Sequence, residues 1–222
     1  MFIRRVLSAR TLNIIRNYSD KRTTGPTNPA PTPAQPVETF SSEGDNGTSK
    51  ILSGEFLPKD DKIFDAIGAT EELSSYIGLA REFGLEAEHD YCDKLKRIQT
   101  VLIDISTLIS KNGNKSNKLI THVHTKELEE WINDYSVKLP PVEHFIIPGG
   151  GVASASLHVA RSICRRTERI VVSLVRQGDV DQQAQIYLNR LSDFLFTVSR
   201  IAAKFDKRTE SIYIPKPEKP TK

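Results

Sequence analysis

The sequence predicts an all-α chain folded as an up-down bundle of five helices. Apolar residues recur at three- and four-residue spacing over most of residues 59–206. No alternating run of comparable strength marks a strand. The breaks between periodic segments are short and carry Gly, Asn or Pro. The same pattern argues against a doubly wound sheet and the dinucleotide site that comes with one.

The elements follow in order. Ile63, Ala66, Ile67, Leu73, Ile77 and Ala80 mark one face of a first helix. Leu95, Ile98, Leu102, Ile105 and Ile109 form a bundle-type stripe on a second. Residues 111–121 are polar, contain Gly and Asn, and predict a loop. A third helix is predicted over 126–138, stopping at Pro140-Pro141. Residues 144–151 (HFIIPGGG) predict a connector. A fourth helix is predicted over 152–176 and stops at Gly178, and a fifth over 180–206 has Asp179 or Asp181 as N-cap. Trp131, between Leu128 and Ile132, is expected in the core, as are the thiols of Cys92 and Cys164.

Composition sets the outer limits. The 222 residues carry 31 Lys+Arg, 28 Asp+Glu and only two Cys, too few for a disulfide framework or a four-thiolate zinc site. A net charge of +3 does not mark a nucleic-acid binder. No apolar run is long enough to span a membrane. The basicity is mostly a property of residues 1–18, where Arg4, Arg5, Arg10 and Arg16 alternate with apolar residues and no acid. That is the profile of a mitochondrial presequence, and Arg16-Asn17-Tyr18-Ser19 resembles a matrix-processing site. Localisation in the mitochondrial matrix is therefore expected. Residues 19–40 hold Pro26, Pro29, Pro31, Pro33 and Pro36 and predict a disordered linker. The domain is expected over 41–213, with a Pro/Lys tail over 214–222.

The fourth helix is the informative one. Ser154, His158, Arg161, Arg165, Glu168 and Arg169 fall within one narrow stripe at 3.6 residues per turn. Ala153, Ala160, Ile163, Thr167, Val171 and Leu174 form a separate, mostly apolar face, and Arg166 points elsewhere. Arginines spaced by four repel one another, so something must compensate: a carboxylate such as Glu168, a partner helix, or a bound polyanion. A guanidinium suits phosphate oxygens. A solvated basic face is the plain alternative. On the fifth helix Asn189, Asp193 and Arg200 share a polar stripe beside Phe196, with Arg190 a quarter turn away. The stretch Ser42-Glu43-Gly44-Asp45-Asn46-Gly47-Thr48-Ser49-Lys50 could cradle phosphate with its N–H groups, yet it is not a Walker A motif. Gly149-Gly150-Gly151 has the same ambiguity, since it could serve only to start the next helix. His89 ends a single Glu-x-x-His, where di-iron bundles need two, and His122 and His124 lack nearby ligand partners.

These residues, in this order, resemble the PduO-type ATP:cob(I)alamin adenosyltransferase family, specifically its mitochondrial members. The matching stretches begin at Gly44-Asp45-x-Gly47, Gly54-Glu-Phe-Leu-Pro-Lys59 and Ala66-Ile-Gly68-Ala-Thr-Glu-Glu72-Leu73. They continue through Phe145-Ile-Ile-Pro148-x-Gly150-Gly151, His158-Val-Ala-Arg161-x-x-Cys-Arg165-Arg166-x-Glu168-Arg169 and Leu188-Asn189-Arg190-Leu-Ser192-Asp193. The resemblance covers about residues 40–213.

The resemblance implies a five-helix bundle that assembles as a homotrimer, with each active site between two subunits. It implies transfer of the 5′-deoxyadenosyl group of ATP to the cobalt of cob(I)alamin, releasing triphosphate, with Mg²⁺ assisting. Ser41, Ser42, Glu43, Gly44, Ser49, Lys50, Lys59, Arg165, Arg166, Glu168, Arg169 and Asn189 fall on its ATP-contacting positions. Arg161 matches an arginine paired with an acid on the first helix, here Glu71. Arg165 and Asp193 complete the expected catalytic set, and Phe145 matches the aromatic packed under the corrin. Hand-over of adenosylcobalamin to methylmalonyl-CoA mutase is a further family expectation. The chain departs from the pattern at Glu43, where the family usually has a hydroxyl, and at Glu71, where it usually has Asp. A carboxylate near phosphates repels them, so Glu43 also motivates an alternative: a non-enzymatic cobalamin-binding carrier.

Overall fold

The computed structural model describes residues 42–112 and 119–215. The expected presequence, the proline-rich linker, Ser41 and most of the expected tail lie outside these residues.

Five helices make the body: α1 (Lys62–Glu86), α2 (Cys92–Ser110), α3 (His122–Ser136), α4 (Val152–Gln177) and α5 (Gln182–Phe205). Main packing partners run α2 on α1, α1 on α4, α4 on α5 and α5 on α3. Alpha-helical periodicity therefore found its predicted use, the burial of apolar faces against neighbouring helices. Leu73, Ile77 and Ala80 of α1 meet Leu95, Ile98 and Ile105 of α2 in one fully buried core that continues through Leu188, Leu191 and Leu195 of α5. Cys92 and Cys164 are buried there, and burial raises the pKa of both thiols. Trp131 is only partly buried, tilted against Phe194 with ring centroids 5.6 Å apart.

Side-chain caps set the helix starts. Asp61 accepts from the Ile63 amide at 2.9 Å, and Asp181, rather than Asp179, accepts from the Gln183 amide at 2.7 Å. Helix α3 begins four residues before its apolar periodicity does. Thr121 and His124 form a capping box there, with the Thr121 amide donating to His124 Nδ1 at 3.2 Å. Gly178 closes α4 in the left-handed conformation, and the next amide, Asp179, returns to the Leu174 carbonyl.

Two small antiparallel ribbons stand beside the five helices of the expected all-α bundle. Strands β1 (Thr48–Lys50) and β2 (Phe56–Pro58) form a hairpin ahead of α1. Strand β3 (Phe145–Ile147) lies within the expected connector and pairs with β4 (Ser211–Tyr213) after α5. Strands of three residues are too short to show a period of two.

Gly150 has a structural role. Its φ is +85°, and a Cβ built there would lie 2.7 Å from Ala203 Cβ on α5. Gly149 has no such conformation, and its nearest atom would be the Ile147 carbonyl at 3.9 Å. Gly150→Ala should therefore cost about 1–3 kcal/mol and Gly149→Ala distinctly less. Urea denaturation of both variants checks this; equal losses would contradict it.

Candidate functional site

Helix α4 is packed on two sides. Toward α1 it buries Thr167, whose hydroxyl donates to the Ala69 carbonyl at 3.0 Å. Toward α5 it buries Cys164, whose thiol donates to the Leu188 carbonyl at 3.3 Å. The expected polar stripe on α4 divides. Ser154 and His158 are buried, whereas Arg165 and Arg169 are exposed and Arg161 is half-buried. Burial and the neighbouring Arg161 charge hold the His158 imidazole below its usual pKa.

The exposed end of the stripe keeps its charge uncompensated. Arg161, Arg165 and Arg169 form no salt bridge among the described residues, although other arginines do. Arg166 pairs with Glu72 of α1. Glu168, the carboxylate placed among the arginines, accepts from the Asn189 side-chain amide of α5 at 3.0 Å. Arg169 donates to the Arg165 carbonyl at 3.1 Å, which holds its guanidinium over the same turn. Arg165, Glu168, Arg169 and Asn189 thus come together as one patch with three charged groups, two of them cationic and unpaired.

The stripe on α5 does not survive as predicted. Asn189 joins the patch, but Arg200 is buried and bound to Glu210. Asp193 is held by Arg190 at 3.0 Å, and Arg190 also binds Glu129 of α3 at 3.0 Å.

Arg161 marks the border of a second region. Its guanidinium lies over the Phe196 ring, 4.8 Å from the centroid. Both side chains line a largely apolar groove of about 550 Å³ together with Phe145, Ile146 and Tyr213. Phe145 is 80% exposed and shares this groove with the other apolar side chains, so its ring adds to a contiguous apolar surface. Periodicity could not reveal Tyr213, because it reaches the groove by pairing opposite Phe145 across the β3–β4 ribbon.

The N-terminal loop is a third assembly. Ser42–Gly44 form a 3₁₀ turn, and the Lys59 amide donates to the Gly47 carbonyl at 2.9 Å. A Cβ at Gly44 would lie 2.7 Å from Lys59 Nζ, so this glycine lets the ammonium approach the turn. Ser49 and Lys50 stand on β1 beside them. Contacts of this hairpin run to the end of α2: the Leu52 amide donates to Ser110 Oγ at 3.0 Å and the Ser53 amide to the Ser110 carbonyl at 3.3 Å. Glu71 is exposed on the same side, in a groove of about 600 Å³ between α1 and α2 that Leu52 also lines. It does not pair with Arg161 within the chain. The intrachain ion pair from α1 to α4 belongs to the adjacent Glu72 and to Arg166.

Among the described residues no three His, Cys, Asp or Glu side chains gather as a metal site. His89, for example, is buried between the Tyr91 hydroxyl at 2.8 Å and Asp206 at 2.9 Å.

Comparison with known proteins agrees with this geometry. The family model described as cobalamin adenosyltransferase matches residues 39–202. The Mus musculus corrinoid adenosyltransferase MMAB is 42% identical over 191 residues, covering 83% of this chain and 81% of its own. An arginine-to-lysine variant of the PduO-type adenosyltransferase from Lactobacillus reuteri, solved with ATP, superposes with a TM-score of 0.74 at 32% identity, covering 79% of this chain and 99% of its own. A phenylalanine-to-histidine variant of the same enzyme, solved with cobalamin and ATP, gives a TM-score of 0.75 at 30% identity, covering 79% and 96%. The family model spans most of the described helical body and the murine relative is matched over four fifths of its length: the chain belongs to the cobalamin adenosyltransferase family.

Proposed function

We infer that this protein transfers the 5′-deoxyadenosyl group of ATP to cob(I)alamin. The observation that carries this reading is the unpaired Arg165–Arg169 patch adjoining the apolar groove of Phe145, a polyanion site beside a site for a large flat ligand. Relatives named as corrinoid adenosyltransferases and a neighbouring structure holding both substrates support it.

Cobalt(I) supplies the nucleophile, so the protein needs none of its own, and the buried thiols are not used. The Co–C5′ bond forms as the C5′–O bond breaks and triphosphate leaves. The protein has to hold C5′ in line with cobalt and neutralise the departing charge. Arg165, Arg166, Arg169 and Lys59 serve the second task, with Asn189 held by Glu168 and the loop residues Ser42, Glu43, Gly44, Ser49 and Lys50 around the phosphates. Mg²⁺ would be carried on phosphate oxygens and water, since the described residues offer no cage of their own. Phe145 excludes the lower axial ligand of cob(II)alamin, which eases its reduction. Arg161 joins the two regions, and Asp193 fixes Arg190 at the edge of the α5 face.

The two halves of this site lie on different faces of one chain. The loop and Glu71 occupy the α1–α2 side, and the arginines and Phe145 the α4–α5 side. This division supports a homotrimer in which Glu71 of one copy meets Arg161 of the next. Tyr76, Leu79, Val152 and Val159, exposed along α1 and α4, offer apolar surface for such contacts. Residues 1–18 support import into the mitochondrial matrix, with the linker 19–40 ahead of the domain. Delivery of the product to methylmalonyl-CoA mutase would follow there.

The direct test is an anaerobic spectrum of the protein with chemically generated cob(I)alamin, ATP and Mg²⁺. The cob(I)alamin band should give way to photolabile adenosylcobalamin only when ATP is present. Cobalamin binding without turnover would favour the carrier. Arg165→Ala should lower kcat/KM at least about 100-fold with an unchanged circular dichroism spectrum; near-normal turnover would sink the assignment. Glu43→Thr should tighten ATP binding, measured by calorimetry. An unchanged Kd would mean that the carboxylate faces away from the phosphates. Phe145→Ala should impair the route from cob(II)alamin plus reductant more than the route from preformed cob(I)alamin, and equal losses would remove its ligand-excluding role.

A further inference from the structure

Phe145 is displayed on a ribbon that has little to hold it. Strands β3 and β4 pair over only three residues each, and all three β4 residues are exposed. An isolated two-stranded ribbon of this length is marginal in water. The wall of the apolar groove must therefore be fixed from outside the ribbon.

The fixing group is on α5. Arg200 is 6% exposed and bonds two separate segments of the chain at once. Its Nε donates to Glu210 Oε1 at 2.9 Å and Oε2 at 3.3 Å, and its Nη2 donates to Oε2 at 3.1 Å. Nη2 also donates to the Pro140 carbonyl at 3.0 Å. Glu210 immediately precedes β4, and Pro140 stands five residues before Phe145 on the approach to β3. One turn further along α5, Lys204 donates to the Lys138 carbonyl on the same approach. Phe196, one turn before Arg200 and on the same face, is the ring that carries Arg161. The ribbon's two entry strands and the floor of the groove thus meet at one helix face.

We propose that Arg200, through its bidentate bond to Glu210 and its bond to the Pro140 carbonyl, is the positioning residue that sets the β3–β4 ribbon and with it Phe145. The proposal rests on the adenosyltransferase reading for its consequence, though its structural half does not. A planar guanidinium can bind a carboxylate with two nitrogens and keep a donor for a carbonyl. Lysine offers a single nitrogen and cannot span both. Misplacing an aligning group by about 1 Å costs roughly 100-fold in rate, so slackening this clasp should act on the cobalamin side and spare the Arg165–Arg169 patch, which begins one turn beyond Arg161 on α4.

The test uses the full chain with Arg200→Lys and, separately, Glu210→Gln, which keeps the shape of the acid and its packing. Hydrogen exchange without any ligand should quicken at least about tenfold for the cross-strand amides of Phe145–Ile147 and Ser211–Tyr213, while α1, α4 and α5 keep their protection. The Kd for ATP should be unchanged. The four-coordinate cob(II)alamin signature with ATP bound should weaken, and kcat/KM for cobalamin should fall about 10- to 100-fold. Unchanged ribbon exchange would overturn the clasp. Faster exchange with an intact signature would overturn its link to Phe145. A joint fall in ATP and cobalamin parameters with a lowered Tm would make Arg200 a general structural residue. If Arg200→Lys fails to fold, Glu210→Gln carries the same readings. A parent protein without any cobalamin signature would instead defeat the functional reading, and the exchange data would still judge the clasp.

Discussion

The packing of α4 between α1 and α5 governs the placement of everything else. A helix buried on two sides has one narrow strip of surface left, and side chains on that strip have fixed directions. On α4 the buried sides are held by specific polar contacts as well as by apolar area, through Thr167 to Ala69 and Cys164 to Leu188. Each contact ends on a backbone carbonyl of the neighbour, so rotating or sliding either neighbour would break a buried hydrogen bond, although Thr167 would keep its bond to the Ile163 carbonyl of its own helix. Arg165 and Arg169 therefore project from a helix that cannot adjust to relieve their repulsion.

That repulsion distinguishes two kinds of arginine in the bundle. Arg166, Arg190 and Arg200 each have a carboxylate, from Glu72, Glu129 with Asp193, and Glu210 respectively. They join elements: α1 to α4, α3 to α5, and the C-terminal strand to α5. Arg161, Arg165 and Arg169 have none among the described residues. The carboxylate nearest to them in sequence, Glu168, is committed to Asn189 instead. No acid pairs directly with these arginines among the described residues, and Glu168 alone offsets only part of the charge of Arg165 and Arg169, so the patch stays net positive.

Much of this was legible in the sequence because helices repeat. The core faces of α1 and α2 follow their three-four spacing, and the arginine pattern on α4 together with Asn189 on α5 marked the patch. What was not legible depended on partners far apart in the chain. His158 and Arg165 lie on the same stripe by angle, yet one is buried with the Phe196 ring of α5 against it and the other is exposed. Arg200 shares a stripe with Asn189 and differs from it only through Glu210, which follows the end of the helix. Both ribbons were missed because three-residue strands have no period to detect, and Tyr213 enters the groove only through pairing with Phe145. Glu71 and Glu72 stand 100° apart on α1, so one lines the groove toward α2 while the other pairs with Arg166 of α4, a division that spacing alone does not settle.

The two regions of the site also rest on different kinds of scaffold, and the reaction explains why both are needed. Triphosphate presents concentrated charge at fixed spacing, which rigid helical positions match best. A corrin ring presents a broad apolar face, which asks for area and for a wall that admits a bulky ligand. On the proposed reading, helices α4 and α5 supply the first, and the β3–β4 ribbon supplies the second. A displacement at C5′ succeeds only if the two ligands are aligned with each other, so the regions need a rigid joint. On the same reading Arg161 stacked on Phe196 serves as that joint: the arginine continues the charged stripe of α4 toward the groove, and the phenylalanine belongs to the same helix face as Arg200.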